Sequence, residues 1–225
     1  MSRSHRITLS GVDFIPDLSG ALFAPEFGAL LVADLHLEKG TSLARRGVHL
    51  PPYDTRESLL LLQAVVGSTQ PRRLIFLGDS FHDGAARERI DASDLALLRA
   101  ITARAETVWI TGNHDPEPPE DVGGIIIEEM ALGPVTLRHQ PKALREVEAE
   151  ISGHLHPAAA IHSRGQRIRR RCFIADARRL IMPAFGSYTG ALSVRSEAFE
   201  GLFGDFHVWM IGDKAVHRFP AAQVR

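Results

Sequence analysis

Short, wholly apolar runs recur along the first half of the chain, at residues 29–33 (ALLVA), 74–77 (LIFL) and 107–111 (TVWIT). Uninterrupted apolar runs this short, rich in branched residues, predict strands buried on both faces. Between them the period changes to that of a helix. Residues 54–66 place Leu59, Leu60, Leu62, Val65 and Val66 on a buried face, with Asp54 as expected N-cap and Glu57 completing a capping box. Residues 93–105 set Leu95, Leu98 and Ile101 at helical spacing. An opening hairpin is predicted from residues 7–15 and 21–24, with Pro16, Asp17 and Gly20 as turn residues. This β–α–β–α–β order predicts a layered α/β sheet.

Beyond Gly123 the helical period disappears. Residues 125–129, 135–138 and 150–152 read as short strands, and 158–162, 167–175, 179–183, 206–211 and 215–219 as hairpin strands. Gly212-Asp213 supplies the last turn. No repeat or low-complexity linker divides the chain, so residues 1–225 are expected to form one α/β domain whose second half is mostly antiparallel.

Composition narrows the classes. Cys172 is the single cysteine, which excludes a disulfide framework and a cysteine-rich zinc module. No apolar run approaches the roughly 18 residues of a membrane helix, and residues 1–10 lack the apolar centre of a secretion signal. A soluble cytoplasmic protein is expected. The 26 basic and 27 acidic residues leave a net charge of −1, which excludes a globally basic nucleic-acid binder but not a local basic strip. The 11 histidines matter through their positions.

Five apolar runs lead directly into metal-binding residue types. These are Asp34-Leu35-His36, Gly78-Asp79, Gly112-Asn113-His114-Asp115, His139 after residues 135–138, and Gly153-His154-Leu155-His156. In open α/β sheets, ligands bind beyond the carboxyl ends of the strands, so these ends can converge on one crevice. Any one fragment is an ordinary turn; all five together, each after a strand, predict a metal site. Asp34, His36, Asp79, Asn113, His139, His154 and His156 offer oxygen and imidazole donors without thiolate, a set suited to Mn²⁺, Fe or Zn²⁺. Seven donors exceed one tetrahedral ion but suffice for two divalent ions sharing a carboxylate. Such a pair clamps a phosphoryl group and activates water.

These blocks, Asp-x-His, Gly-Asp, Gly-Asn-His-Asp, a lone His and Gly-His-x-His, resemble the calcineurin-like metallophosphoesterases. The resemblance implies a four-layer α/β/β/α sandwich, with two mixed sheets flanked by helices. It assigns Asp34, His36, Asp79 and His156 to one metal, and Asp79, Asn113, His139 and His154 to the other, with Asp79 bridging. The longer blocks DLHLEKG, ARRG, LPPYDT, LGDSFHD, GNHDP, GHLHP, RRRCF and PAFGSYTG, spread from Asp34 to Gly190, look like the ligase-associated DNA-damage-response endonucleases of the PdeM type. That family implies DNA as substrate, manganese as cofactor, a role in DNA repair and a functional association with an ATP-dependent ligase and a helicase. A homo-oligomer is compatible with it.

By the same resemblance, a hydroxide bridging the metals attacks phosphorus in line while His114 stabilises the developing charge or protonates the leaving oxygen. Phosphatase relatives carry Gly-Asp-x-x-Asp, whose last Asp orients that histidine; here His82 stands in its place, as in the double-strand-break nuclease branch. His82 is then either catalytic or a supporting residue, and Asp83 and Asp115 are the candidates for orienting His114. Arg45 and Arg46 follow the first ligand loop and either clamp a phosphate or remain solvated. On a strand, Arg167, Arg169 and Arg171 share one face, making either a basic ribbon for a DNA backbone or a soluble sheet surface. Gly186, Thr189 and Gly190 form a small-residue loop that the resemblance places at the site border, and Trp109 reads as core. A phosphomonoesterase or cyclic-nucleotide phosphodiesterase would use the same metals, so the substrate stays open between these and DNA. A non-catalytic scaffold would have shed ligands, and none is missing.

Overall fold

A computed structural model of the chain describes residues 6–48, 50–51, 53–117, 119–145 and 148–225. Residues 1–5 of the leading segment and Pro52 of the LPPYDT block lie outside the described residues. The first sheet has seven strands in chain order: β1 (Ile7–Leu9), β2 (Val12–Pro16), β3 (Leu22–Ala24), β4 (Ala29–Val32), β5 (Arg73–Leu77), β6 (Glu106–Ile110) and β7 (Ile125–Ile127). From β1 to β4 neighbours are antiparallel; from β4 to β7 they are parallel. The parallel crossovers carry α1 (Lys39–Arg45), α2 (Asp54–Thr69), α3 (Ala86–Arg89) and α4 (Ala92–Thr102).

The continuous apolar character of β4, β5 and β6 has a direct cause. Leu30, Val32, Leu74, Phe76 and Trp109 face α2 and α4, packing on Leu59, Leu62, Leu98 and Ile101. The alternate residues Leu31, Ile75, Leu77, Val108 and Ile110 face a second sheet and meet Leu137, Ile151, Phe173 and Leu180. With both faces covered, strand alternation vanishes from the sequence. Trp109 is core: its ring stacks on Phe76 with centroids 4.0 Å apart, and its Nε1 donates to the Gly123 carbonyl at 2.7 Å.

The second sheet is built from β8 (Glu129–Leu132), β9 (Val135–Arg138), β10 (Ala149–Ser152), β11 (Pro157–Ser163), β12 (Gln166–Ala175), β13 (Arg179–Ile181), β14 (Leu192–Ser193), β15 (His207–Ile211) and β16 (Val216–Pro220). β9, β10 and β13 run parallel, while β12 pairs antiparallel with β11, β13 and β15 along its ten residues. The two mixed sheets give the expected α/β layering. The outermost layer over the second sheet is made of irregular chain and the 3₁₀ turns Glu197–Phe199 and Ala221–Gln223. There Val194, Phe199 and Val224 cover Cys172, Ile174 and Met210. No helix among the described residues is long and apolar enough to cross a membrane.

Four local expectations change, the first being that Leu60 lies on the exposed side of α2 rather than on its buried face. The run 125–129 is two strands, because the chain leaves the first sheet after Ile127 and enters the second at Glu129. Asp54 does not cap α2: Tyr53 is the N-cap residue, and the Asp54 carboxylate instead accepts the Gly40 N–H at 2.9 Å, tying α2 to the start of α1. α4 starts one residue earlier than its periodicity suggested and is capped by Asp91, whose carboxylate accepts the Ser93 N–H at 2.8 Å. Loss of a side-chain cap typically costs about 1 kcal/mol. Asp91→Ala should therefore lower the unfolding free energy by about that much in a urea titration, with the slope unchanged.

Candidate metal centre

The parallel strands end at one rim, and the chain keeps pairing past their ends. The His36 N–H donates to the Asp79 carbonyl at 2.9 Å and the Leu37 N–H to the Ser80 carbonyl at 2.9 Å, so the loops after β4 and β5 run side by side. From the second sheet, the Gly153 N–H donates to the His139 carbonyl at 3.0 Å, joining the loops after β9 and β10. The backbone at this rim is strained. Asp34, His36, Asp79, His154 and His156 all have positive φ, between 44° and 68°. Asp and His tolerate the left-handed region better than most residues, yet each instance still costs on the order of 1 kcal/mol and persists only where the surroundings enforce it.

Among the described residues three groups of possible ligands result, one of them His36, His82 and His114, and two, the first and second clusters, contain the sequence-predicted Asp and His donors. In the first, His36 Nε2 lies 3.4 Å from His156 Nε2, which lies 3.3 Å from Asp34 Oδ1. In the second, His139 Nε2 lies 2.9 Å from Asn113 Oδ1 and 3.2 Å from His154 Nδ1. The Asp79 carboxylate spans them, with Oδ1 3.4 Å from His139 Nε2 and Oδ2 3.8 Å from His36 Nε2. All seven sequence-predicted donors thus come together. His139 also tests what belongs there. Its Nδ1 donates to the Leu77 carbonyl at 3.0 Å, so Nε2 is the nitrogen that faces Asp79, Asn113 and His154. One proton cannot satisfy three acceptors; a divalent cation can. A carbonyl behind the ring is also the usual way a metal-ligating imidazole is oriented.

The electrostatics agree. Burial works against charge on His139, but its bond to Asp79 and the charges of Asp34 and Asp79 overcome it and push the imidazole up to about 9. Burial opposes ionisation of Asp79 as well, and the contacts of His139, the His114 N–H and His36 hold its carboxyl below the usual range. Burial keeps His36 neutral, pushed down to about 2, and neutral imidazole is the form that binds metal. Glycine is required at Gly78, where φ is 74° and a Cβ would fall into the His139 ring.

The His114 N–H donates to Asp79 Oδ1 at 2.9 Å, and His114 Nδ1 donates to the His82 carbonyl at 2.9 Å. That carbonyl orients the ring, and neither expected carboxylate does. Asp83 is held by Arg89 at 2.8 and 2.9 Å, and the buried Asp115 accepts the Ser80 and Phe81 N–H groups at 2.8 and 3.1 Å. The His82 ring stacks on His114 at 5.2 Å and packs edge-on to His36 at 5.5 Å. Burial first, then the charges of Lys39, His114 and Arg46, lower His82 to about 4.

Comparison with solved structures places a Pseudomonas putida nuclease MPE beside this chain, with 26% identity, a TM-score of 0.76, and 96% of this chain matched to 100% of that one. The chain has the metallophosphoesterase fold. A phosphoesterase of E. coli, YfcE, matches 85% of this chain and 97% of its own at 14% identity and a TM-score of 0.43. No protein-family model matches the chain, and no curated protein does.

Within this metallophosphoesterase fold the candidate arginines divide. Arg46 is close enough to His82 for its charge to be felt, and Arg45 is exposed on the last turn of α1. On the expected basic face Arg167 and Arg169 are exposed, while Arg171 turns inward. The half-buried Arg171 donates to the Ala184 carbonyl at 2.6 Å and Arg169 to the Ala191 carbonyl at 2.5 Å. Both hold the small-residue loop after β13, which borders the first cluster directly: Gly190 accepts from His156 Nδ1 at 3.1 Å, and the Gly186 N–H donates to the Asp34 carbonyl at 3.2 Å. Gly186 leaves no room for a Cβ against the Leu35 carbonyl. Lys39, not singled out from the sequence, is half-buried beside the same cluster, and burial lowers its ammonium despite the charge of Asp79. Its place inside DLHLEKG was the available signal.

Through Gly190 and Gly186 the loop bonds His156 and Asp34 of the first cluster. Arg171→Met should therefore weaken divalent-metal binding there about ten-fold, the lower range for losing an outer support of a ligand. The second cluster should stay filled. A metal titration with manganese as the probe, followed by electron paramagnetic resonance, checks this: the variant should take up less metal than the wild-type chain at limiting concentration.

Proposed function

We propose that the chain is a two-metal phosphodiesterase that cleaves DNA and serves in DNA repair. Manganese is the cation in this reading; Asp34, His36, Asp79 and His156 hold one ion, and Asp79, Asn113, His139 and His154 the other. The observation that carries it is the Asp79 carboxylate, whose two oxygens face two separate imidazole clusters. Two divalent ions would supply the charge that neutralises a phosphodiester and the acidity that makes water a nucleophile at neutral pH. The similarity to a nuclease over nearly the whole chain supports nucleic acid as the substrate. The repair role, the cytoplasmic location and the functional association with a ligase and a helicase rest on the motif resemblance.

The chain's own residues then have definable tasks. Because a carbonyl can only accept, His114 Nδ1 carries a proton, and Nε2 is left to hold the proton delivered to the leaving oxygen. The His82 ring packs on His114 and limits its rotation. Lys39 and Arg46, on the same side, attract the anionic substrate.

The test is a manganese-dependent assay on single-stranded, nicked and duplex DNA beside bis-p-nitrophenyl phosphate, with Asp79→Asn as inactive control. His114→Ala should cost about 10²–10⁴-fold on DNA, the usual span for a general acid. It should cost far less with p-nitrophenolate as leaving group, and metal content should not change. Hydrolysis of phosphomonoesters or cyclic nucleotides with no DNA cleavage would replace this reading with a small-substrate one.

A further inference from the structure

A cleft of about 350 Å³ opens beside the second cluster, with Asn113 and His139 forming one wall. Its size is at the small end of ligand sites, which run from roughly 300 to 1,000 Å³. The remaining wall comes from Pro116, Glu128, Arg138, Gln140 and Lys142. Although two of these are cations, the cleft is not a phosphate site. Arg138 lies 3.2 Å from Glu150 and 3.3 Å from Glu129, Lys142 lies 3.0 Å from Glu129, and Arg179 lies 2.7 Å from Glu150. With Glu128 in the wall and Glu129, Glu150 and Arg179 behind it, three cations meet three carboxylates, so these side chains together carry no net charge.

Neutral groups with directional hydrogen bonds remain. The Gln140 amide, which donates to Asn113 Oδ1 at 3.3 Å, lines the cleft together with Asn113. Thr111 offers a hydroxyl, and the exposed Pro116 a flat apolar surface. An apolar occupant would strand the amide, and beyond the phosphate held at the metal centre a second anion would find no net side-chain charge here.

We propose that this cleft is a nucleoside subsite, which takes the base and sugar on one side of the scissile phosphate. The proposal rests on the phosphodiesterase reading above and adds to it which chemical group flanks the phosphate there. Nucleoside binding in the cleft converts non-reacting contacts into affinity for nucleotide diesters over simple ones.

Two substrates with the same leaving group separate the subsite from the reaction: thymidine 5′-(p-nitrophenyl phosphate), which carries a nucleoside, and bis-p-nitrophenyl phosphate, which does not. The wild-type chain should show at least ten-fold higher kcat/KM for the first. Glu128→Trp, a bulky change in the lining of the cleft, should erase that preference by raising KM for the nucleoside substrate, leaving kcat/KM for bis-p-nitrophenyl phosphate within two-fold. Lys142→Trp should act in the same way and serves if the first variant does not fold. An unchanged ratio of the two kcat/KM values in a folded variant overturns the subsite, as does a wild-type chain with no preference. If the wild-type chain with manganese hydrolyses neither diester, the phosphodiesterase reading itself has failed.

Discussion

Asp79 presents one carboxylate oxygen to His139 and the other to His36 from the loop after β5, and almost every feature of the rim serves that arrangement. Its backbone stands at a φ of 47°, its carbonyl accepts from His36, and its carboxylate also receives the His114 N–H. A carboxylate so placed, with buried imidazoles on both sides, is poorly satisfied by protons alone. The positive-φ loops around it persist because the surrounding packing and hydrogen bonds enforce them. The two sheets therefore act as a frame: each delivers parallel strand ends to the shared rim, and the packing of Leu31, Ile75 and Ile110 against Leu137 and Ile151 fixes how far apart those ends lie.

The parts of this frame that show in the sequence are those in which one residue type answers one physical demand. Buried parallel strands must be apolar throughout, which makes β4, β5 and β6 readable, and a hard-donor metal site needs Asp, Asn and His directly after them. What did not show depends on partners that any residue can supply. His114 is oriented by a backbone carbonyl, invisible to a search for a carboxylate. The passage from β7 to β8 carries no Gly or Pro, so a single strand was the natural reading of a segment that changes sheets.

Long side chains are the other limit. Alternation along β12 correctly sets Arg169 and Arg171 on one face, but not where a guanidinium ends. Both bond carbonyls of the loop after β13, Arg171 half-buried and Arg169 still exposed. Asp54 is a similar case, being an apparent cap whose short carboxylate finds Gly40 in the neighbouring helix instead. In each case tertiary contact overrode a local rule, and each lies within one loop of the metal cluster, where strain and support are concentrated.

The most direct measurement is anomalous diffraction at the manganese edge from crystals soaked in Mn²⁺. Two peaks about 3.5–4 Å apart, the spacing of two-metal sites, with the Asp79 carboxylate between them, are the expected result. Density for no ion, or for one ion that Asp79 does not touch, would contradict the account.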